Sequence, residues 1–214
     1  MTKNLFEGLS TPTVSDALDK LGIPGACHGI APLFNEAATI GPAFTVRYQP
    51  VGTEGGTVGD FIDDVPEGAV VVIDNTGRTN CTVWGDIMTT LAVAKKIGGT
   101  VIDGVCRDVA RPLADGYPMF TRGRFLLTGK DRVTCVEVGG TVSIGGILVR
   151  QDDIIVADAN GVVVVPKERA EEVAEIARTI DAREEAIIKD IQSGLSLRDS
   201  RARHGYHSLQ TKGA

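Results

Sequence analysis

The sequence predicts an α/β protein on three observations. A strand–helix–strand unit runs from the apolar segment AVVVID (69–74), through GDIMTTLAVAKKIGG, to TVIDG (100–104). From residue 118 onward, short apolar segments alternate with glycines, which predicts a strand-rich half that closes a sandwich or barrel. A long helix is predicted from Pro166, because Val, Ile and Ala recur there at roughly helical spacing.

The N-terminal elements are a helix and a strand. STPTVSDALDKLG predicts a short helix with Thr11 as its cap, Pro12 in its first turn and Gly22 at its end. PAFTVRY then predicts a strand. Residues 50–66 are polar and glycine-rich, which predicts a loop able to carry a short helix.

The central unit has recognisable boundaries. AVVVID is apolar up to its last residue, Asp74, as expected of a strand buried on both faces, and the turn-forming NTGRTN follows it. The next helix is predicted to open at Gly85–Asp86 and to stop at Gly98–Gly99. The strand TVIDG then follows it.

The second half is predicted to consist of strands, the long helix and a tail. The strands are expected in PMF, RVTCVEV, TVSIGGILV, DIIVAD and GVVVVP, and the glycine pairs between them are expected to form turns. The long helix ends near Gly194, and the remaining residues are polar and locally basic. We therefore predict one domain over residues 1–194 and a polar, solvated or partner-draped tail over 195–214.

Composition restricts the classes of function. The chain is 43% hydrophobic and 23% charged, as in ordinary soluble globular proteins. Its net charge of −6 argues against a general nucleic-acid binder. The four cysteines form no C-x-x-C pair, and neither a signal-peptide core nor a membrane-length apolar run is present, so a cytoplasmic protein with reduced thiols and no membrane contact is expected.

One candidate site is the turn at Gly85–Asp86. A glycine before a helix lets a ligand approach the backbone, and the free amides of Ile87 and Met88 could then bind a small carboxylate. The alternative is that Asp86 simply caps the helix. Taken alone, the pattern is better explained by capping.

A second candidate is the loop DGVCRD (103–108), which follows the next strand of the same unit. The carboxyl ends of neighbouring strands meet at one rim of an α/β sheet, so this loop should lie beside Asp86. Two charged surface loops facing water remain an equal alternative. If the loops converge, one acidic group can hold a hard cation such as Mg²⁺ or Mn²⁺ while Arg107 binds an anion, so the adjacent Arg107 and Asp108 need not pair.

Other chemistries have weaker support. The three histidines (28, 204 and 207) lie away from these loops, which argues against a multi-histidine zinc centre and a Ser–His–Asp triad. No phosphate-binding glycine motif follows a strand. Cys106 has no histidine near it in sequence to activate it, and only Lys130 lies near the strand-rich part as a candidate for Schiff-base catalysis.

These motifs resemble those of a known family. WGD (84–86), GG (98–99) and DGVCRD (103–108) look like the signature of the RraA-like 4-hydroxy-4-methyl-2-oxoglutarate aldolases, often mislabelled demethylmenaquinone methyltransferases. The likeness covers most of residues 10–195. It implies a β-rich α/β sandwich of the swivelling β/β/α type, with an N-terminal helix and a long C-terminal helix, assembled as a homotrimer or homohexamer.

The resemblance also implies roles for the site residues. Asp108 would bind a divalent metal directly, and Asp86 would hold metal-bound water. Arg107 and the amides of Ile87 and Met88, beside Gly85, would bind the pyruvate part of a 2-oxo acid substrate. The implied activity is a class II pyruvate aldolase acting on 4-hydroxy-4-methyl-2-oxoglutarate or 4-carboxy-4-hydroxy-2-oxoadipate, with oxaloacetate decarboxylation at the same site.

Two further implications concern neighbouring chains. The family brings a glutamate from the C-terminal helix of an adjacent subunit into the site, and Glu184 is slightly preferred to Glu185 over the alternative of a solvated helix face. The family also includes an inhibitor that docks onto an RNA-degrading enzyme, which leaves a non-catalytic regulator as the second hypothesis. The combination of Asp86, Arg107 and Asp108 favours catalysis, because docking does not require it.

Overall fold

The computed structural model describes residues 3–53 and 58–206 and confirms the α/β fold with helices at both ends of the chain. The helices are α1 (Lys3–Phe6), α2 (Thr11–Leu21), α3 (Asp86–Ala94), α4 (Ala110–Asp115), α5 (Ala170–Gln192) and α6 (Leu197–Arg203). Short 3₁₀ turns lie at Asp60–Asp64 and Lys167–Arg169. The strands are β1 (Ala31–Pro32), β2 (Thr39–Pro50), β3 (Val70–Thr82), β4 (Gly99–Cys106), β5 (Met119–Arg124), β6 (Val133–Val138), β7 (Val142–Ile144), β8 (Ile147–Val149), β9 (Ile154–Asp158) and β10 (Gly161–Val165).

Within the described residues, eight strands form one mixed sheet in the order β1-β5-β4-β3-β2-β9-β10, with β6 also paired to β2. Strands β2, β3, β4 and β5 are parallel to one another, as the strand–helix–strand unit predicts for β3 and β4. Strand β2 pairs with β9 through its first residues and with β6 through its last. Strands β7 and β8 form a separate hairpin turned by Gly145–Gly146, whose positive φ angles of 55° and 85° suit a tight hairpin turn.

The parallel strands are buried on both faces. Val71 and Ile73 pack towards α3, whereas Val70 and Val72 pack towards the β7–β8 hairpin. Helices α2 and α5 cover β9 and β10 through a third apolar cluster. Burial of one aliphatic side chain stabilises a fold by about 2 kcal/mol. Because β3 is buried on both faces, it is held firmly in the sheet, and the loop that follows it starts from a fixed position.

The predicted turn NTGRTN (75–80) lies inside β3 rather than after it. The pairing of β3 with β4 shifts register on both sides of Arg78, and Thr76 and Gly77 have φ angles of 54° and 66°. The turn-forming residues therefore make a bulge, after which the strand resumes and ends at Thr82.

Two predicted helix boundaries are also wrong. The cap of α2 is Ser10, whose Oγ accepts the Thr13 amide at 3.3 Å, whereas Thr11 lies within the helix and donates to the Asp158 carboxylate. Helix α3 ends at Ala94 rather than at Gly98–Gly99. Lys96 turns the chain with a φ of 55°, and the glycines instead allow close contact with neighbouring backbone.

Part of the predicted tail is a helix, α6, which was not expected from its polar composition. Asp190 of α5 joins it by accepting hydrogen bonds from Ser200 at 3.1 Å and Arg203 at 3.2 Å, and it lies 2.9 Å from His204 Nε2. Residues 207–214, with His207, lie outside the described part of the chain. The division at residue 194 stays a prediction. Across the described ranges, no helix has the length and apolar character needed to cross a bilayer.

Candidate active site

A cleft lies where β3 and β4 end, at the rim where the sequence predicts it. The two loop tips contact each other directly: the Arg107 amide donates to the Trp84 carbonyl at 3.1 Å. The Asp86 amide donates to Asp108 Oδ2 at 3.4 Å. Because both loops follow parallel neighbouring strands, the sheet itself places them side by side.

Trp84 holds the first loop in place. Its indole Nε1 donates to Thr89 Oγ1 at 3.0 Å in the buried interior, and its ring stacks on Tyr117 with 6.2 Å between centroids. The Tyr117 hydroxyl in turn lies 2.8 Å from Thr100 Oγ1. The exposed tip after Trp84 is therefore built on a packed, hydrogen-bonded base.

Gly85 lets the second loop approach the first. A Cβ atom at this position would lie 2.7 Å from Asp108 Oδ2 and 3.3 Å from Arg107 Nε. The backbone of Gly85 is extended, so the requirement for glycine here comes from space and not from its φ angle. The group that comes near Gly85 is the Asp108 carboxylate, and the predicted approach of a ligand to this glycine stays a prediction.

The two adjacent charges do pair, contrary to the expectation from sequence. Arg107 Nε lies 3.2 Å from Asp108 Oδ2. Asp108 adopts a left-handed φ of 55°, and this turn directs its side chain back towards its neighbour. Both side chains are about 40% exposed, and an ion pair this exposed is worth about 0–1 kcal/mol, so a ligand can compete for either partner.

Asp86 also acts at the helix terminus. Its Oδ1 accepts the Ile87 amide at 2.8 Å, so one of the two amides predicted for substrate binding is already engaged. The N-cap of α3 is Gly85, which makes no side-chain capping bond, so Asp86 is not the cap that the sequence left as an alternative. It engages a single amide from within the first turn of the helix. Asp86 is exposed, and its second carboxylate oxygen has no protein partner among the described residues.

The space at the rim consists of two neighbouring hollows that share Arg107. The first, of about 170 Å³, is bounded by the Gly85–Met88 turn and Thr128. The second, of about 300 Å³, lies between Asp108 and the segment 124–126. Sequence reasoning missed this segment, although it follows β5, the next parallel strand, whose carboxyl end must reach the same rim.

Asp103, Cys106 and Lys130 do not line either hollow. Asp103 is buried, pairs with Arg122 and accepts the Gly145 amide, so it anchors the hairpin. Burial raises the pKa of the Cys106 thiol to about 11, which makes it a poor nucleophile. Lys130 is exposed and so lacks the burial that a Schiff-base lysine requires.

The two candidate glutamates lie on α5. Glu184 is half-buried, and burial together with the nearby charges of Asp16 and Asp181 raises the pKa of its carboxyl group. Glu185 is exposed and lies 3.9 Å from Lys189 Nζ. Neither lines the hollows of its own chain. A contribution to an adjacent subunit stays a prediction.

Comparison with known proteins identifies the family. Residues 11–164 match the profile of the RraA-like family, described as Aldolase/RraA. The chain belongs to the RraA-like family. A Halalkalibacterium halodurans protein named "Putative 4-hydroxy-4-methyl-2-oxoglutarate aldolase" is 33% identical to it over 85% of this chain and 84% of its own. The Legionella pneumophila protein DlpA is 41% identical over 95% of this chain, which spans only 34% of DlpA.

Solved structures confirm the fold of this RraA-like chain. An uncharacterized protein from Pseudomonas syringae pv. tomato is 44% identical, with a TM-score of 0.88 over 94% of this chain and 96% of that one. A Streptomyces coelicolor protein, described as an unusual member of the RNase ES inhibitor RraA protein family, is 28% identical with a TM-score of 0.78. That likeness covers 86% of this chain and 93% of the Streptomyces chain.

Proposed function

We propose that the protein is a divalent-metal-dependent lyase that releases pyruvate from 4-hydroxy-2-oxo acids such as 4-hydroxy-4-methyl-2-oxoglutarate and 4-carboxy-4-hydroxy-2-oxoadipate. Oxaloacetate decarboxylation is proposed at the same site. The observation that carries the proposal is the meeting of Asp86, Arg107 and Asp108 at one rim, where two neighbouring hollows share Arg107 at the N-terminus of α3. The name of the Halalkalibacterium relative supports the same class of reaction.

The residues present fit a hard cation. Asp108 Oδ2 lies against Gly85, where a side chain would fill the space, and carboxylate oxygens are the ligands that Mg²⁺ and Mn²⁺ prefer. The described residues contain no group of three or more acidic, histidine or cysteine side chains placed to enclose a metal. This suits a site in which Asp108 holds the ion directly, Asp86 holds it through water, and waters and substrate complete its shell. When bound, the cation would polarise the 2-oxo group and offset negative charge on its oxygen.

Arg107 and α3 would orient the substrate. The two Nη atoms of Arg107 have no protein partner among the described residues, so they can form paired hydrogen bonds with the C1 carboxylate. The positive end of the α3 dipole favours the same anion. The Met88 amide is then the better amide donor, because Asp86 already accepts the Ile87 amide.

Asp86 would move the proton. Its free carboxylate oxygen takes the proton of the C4 hydroxyl, directly or through water, while the C3–C4 bond breaks and C4 becomes a carbonyl carbon. The electron pair of that bond stays with the three-carbon fragment, and a proton added at C3 completes pyruvate. In oxaloacetate the same bond breaks with loss of carbon dioxide. We propose that Glu184 or Glu185 of an adjacent subunit assists in a trimeric or hexameric ring.

The test is pyruvate release with and without metal. We expect Mg²⁺ or Mn²⁺ to support cleavage of 4-hydroxy-4-methyl-2-oxoglutarate and decarboxylation of oxaloacetate, and a chelator to abolish both. Asp108→Ala should lower kcat/KM at least 100-fold (about 2.7 kcal/mol or more), while the matched variant Asp115→Ala, on the exposed side of α4, should stay within about 2-fold. Full activity in chelator, or normal turnover by Asp108→Ala, contradicts the metal role.

A second candidate function is regulation of a ribonuclease by docking. It is supported by the Streptomyces structure from the RNase ES inhibitor family and by two large apolar side chains at the cleft mouth, Ile87 and Leu126, which are 81% and 78% exposed. In a binding assay with a purified RNase E-type enzyme, this function predicts complex formation that Ile87→Glu weakens. If the protein releases no pyruvate from the 2-oxo acids but binds the ribonuclease, the regulator is favoured over the lyase.

A further inference from the structure

The second hollow at the rim extends beyond Arg107 and Asp108, the two residues proposed to hold the pyruvate carboxylate and the metal. It shares Arg107 with the first hollow and is walled by Val109 and the segment 124–126. A molecule that extends past the Arg107 guanidinium therefore enters it. The residues that line it should therefore determine which substituents on C4, beyond the C3–C4 bond that breaks, the protein accepts in a substrate.

The wall of this hollow is held by backbone bonds. The Phe125 amide donates to the Cys106 carbonyl at 2.9 Å, directly before Arg107. Leu127, two residues after Phe125, accepts the Thr82 amide through its carbonyl at 3.0 Å. The segment thus crosses the carboxyl ends of both β4 and β3. The backbone at 124–126 is therefore held in place relative to Arg107 by the same sheet that forms the rim.

The chemistry of the wall is one cation on an apolar surface. Arg124 is exposed and has no ion-pair partner in the described part of the chain. Beside it, Phe125 is 41% and Leu126 78% exposed, and Val109 is half-buried. An unpaired guanidinium binds a carboxylate through two parallel hydrogen bonds, and the apolar side chains favour methyl or methylene groups next to that carboxylate.

We infer that Arg124, Phe125 and Leu126 form a specificity subsite that binds the distal carboxylate of a 2-oxo dicarboxylic acid, with Arg124 as the residue that recognises it. This inference rests on the proposed function, because the proximal carboxylate is the one assigned to Arg107. A substrate with a carboxylate and a methyl group on C4 meets both features of the wall. A substrate with only a methyl group there leaves the Arg124 charge unpaired.

The decisive measurement is binding of two unreactive acids that differ only in the distal group. In 2-oxoglutarate this group is a carboxylate and in 2-oxopentanoate it is a methyl; neither has a C4 hydroxyl, so neither can be cleaved. In calorimetric titrations with Mg²⁺, the full-length protein should bind 2-oxoglutarate at least 10-fold more tightly. Arg124→Gln should reduce this ratio to within about 2-fold, and Arg124→Lys should retain part of it.

The matched control is Arg111→Gln. Arg111 is also exposed and lies on α4 outside both hollows, and its Nε is paired with Asp115 Oδ2 at 2.6 Å. This variant removes the same charge and should preserve the ratio. Equal binding of the two acids by the wild-type protein, no binding of either, or the same loss in Arg111→Gln as in Arg124→Gln would overturn the subsite.

Turnover separates this inference from the proposed function. If 4-hydroxy-4-methyl-2-oxoglutarate and 4-hydroxy-2-oxopentanoate are both cleaved, Arg124→Gln should raise KM for the first by about 10-fold or more and leave the second within about 2-fold. Equal effects on both substrates refute the subsite and leave the aldolase standing. If neither substrate is cleaved but the protein still binds 2-oxoglutarate preferentially through Arg124, the aldolase function is refuted and the subsite is supported.

Discussion

At the scale of single residues, the site depends on the missing side chain at Gly85 and on the turned backbone at Asp108. The sequence predicts the glycine, because a glycine between a strand and a helix is a recognised place of close approach. It does not predict the ion pair of Arg107 with Asp108. That contact follows from the φ angle of 55° at Asp108, which depends on how the loop packs against Trp84 and Gly85.

Gly85→Ala tests the close approach. The added Cβ would lie 2.7 Å from Asp108 Oδ2, so the carboxylate must move. Because this carboxylate is partly exposed, it can move at little cost, and we expect the free energy of unfolding to change by less than about 1 kcal/mol. Pyruvate release should nevertheless fall 10-fold or more. Thermal denaturation and steady-state kinetics measure the two effects, and unchanged kinetics would show that the approach of Asp108 to Gly85 is dispensable.

At the scale of secondary structure elements, the sequence predicts the strands and the long helix well and the irregular parts poorly. Apolar runs such as 69–73 are uninterrupted, so the sequence alone indicates that they are buried. The bulge at 75–80 carries residues that form turns equally well, and only pairing with β4 keeps it within a strand. Helix α6 was missed because tertiary contacts to Asp190 hold it, and its composition gives no sign of them.

Helix α5 supplies a prediction that separates Glu184 from Glu185. The raised pKa of Glu184 means that its charged form is disfavoured in the folded state by burial and by Asp16 and Asp181. This penalty is absent well below pH 4.5, where the carboxyl is protonated in both states, and it grows as the pH rises through the unfolded and then the folded pKa. Glu184→Gln should therefore raise Tm at pH 7 by about 1 °C and have no such effect near pH 3.

The variants Glu184→Gln and Glu185→Gln together test the proposed catalytic glutamate. If Glu184 serves an adjacent subunit, Glu184→Gln should lower kcat at least 10-fold while it stabilises the fold. Glu185→Gln removes only an exposed contact with Lys189 and should leave both kcat and Tm nearly unchanged. A loss of activity in Glu185→Gln alone would reverse the assignment. Denaturation curves at both pH values and initial rates measure these outcomes.

At the scale of the whole molecule, the parallel strands of one mixed sheet account for both the predicted site and the part that was missed. The order of strands brings the ends of β3 and β4 together, which the strand–helix–strand pattern is sufficient to predict. The end of β5 reaches the same rim, but the polar and apolar residues 124–126 match no motif, so their role is visible only once the strands are paired.

The central claim is that the joined loop tips hold a divalent cation through Asp108. Electron paramagnetic resonance titration of the protein with Mn²⁺ tests it without any substrate. We predict one tight site per chain, at least 10-fold weaker in Asp108→Ala and unchanged in Asp115→Ala, which alters an acidic residue paired with Arg111 away from the cleft. Equal Mn²⁺ affinity in the wild-type protein and Asp108→Ala would contradict the account.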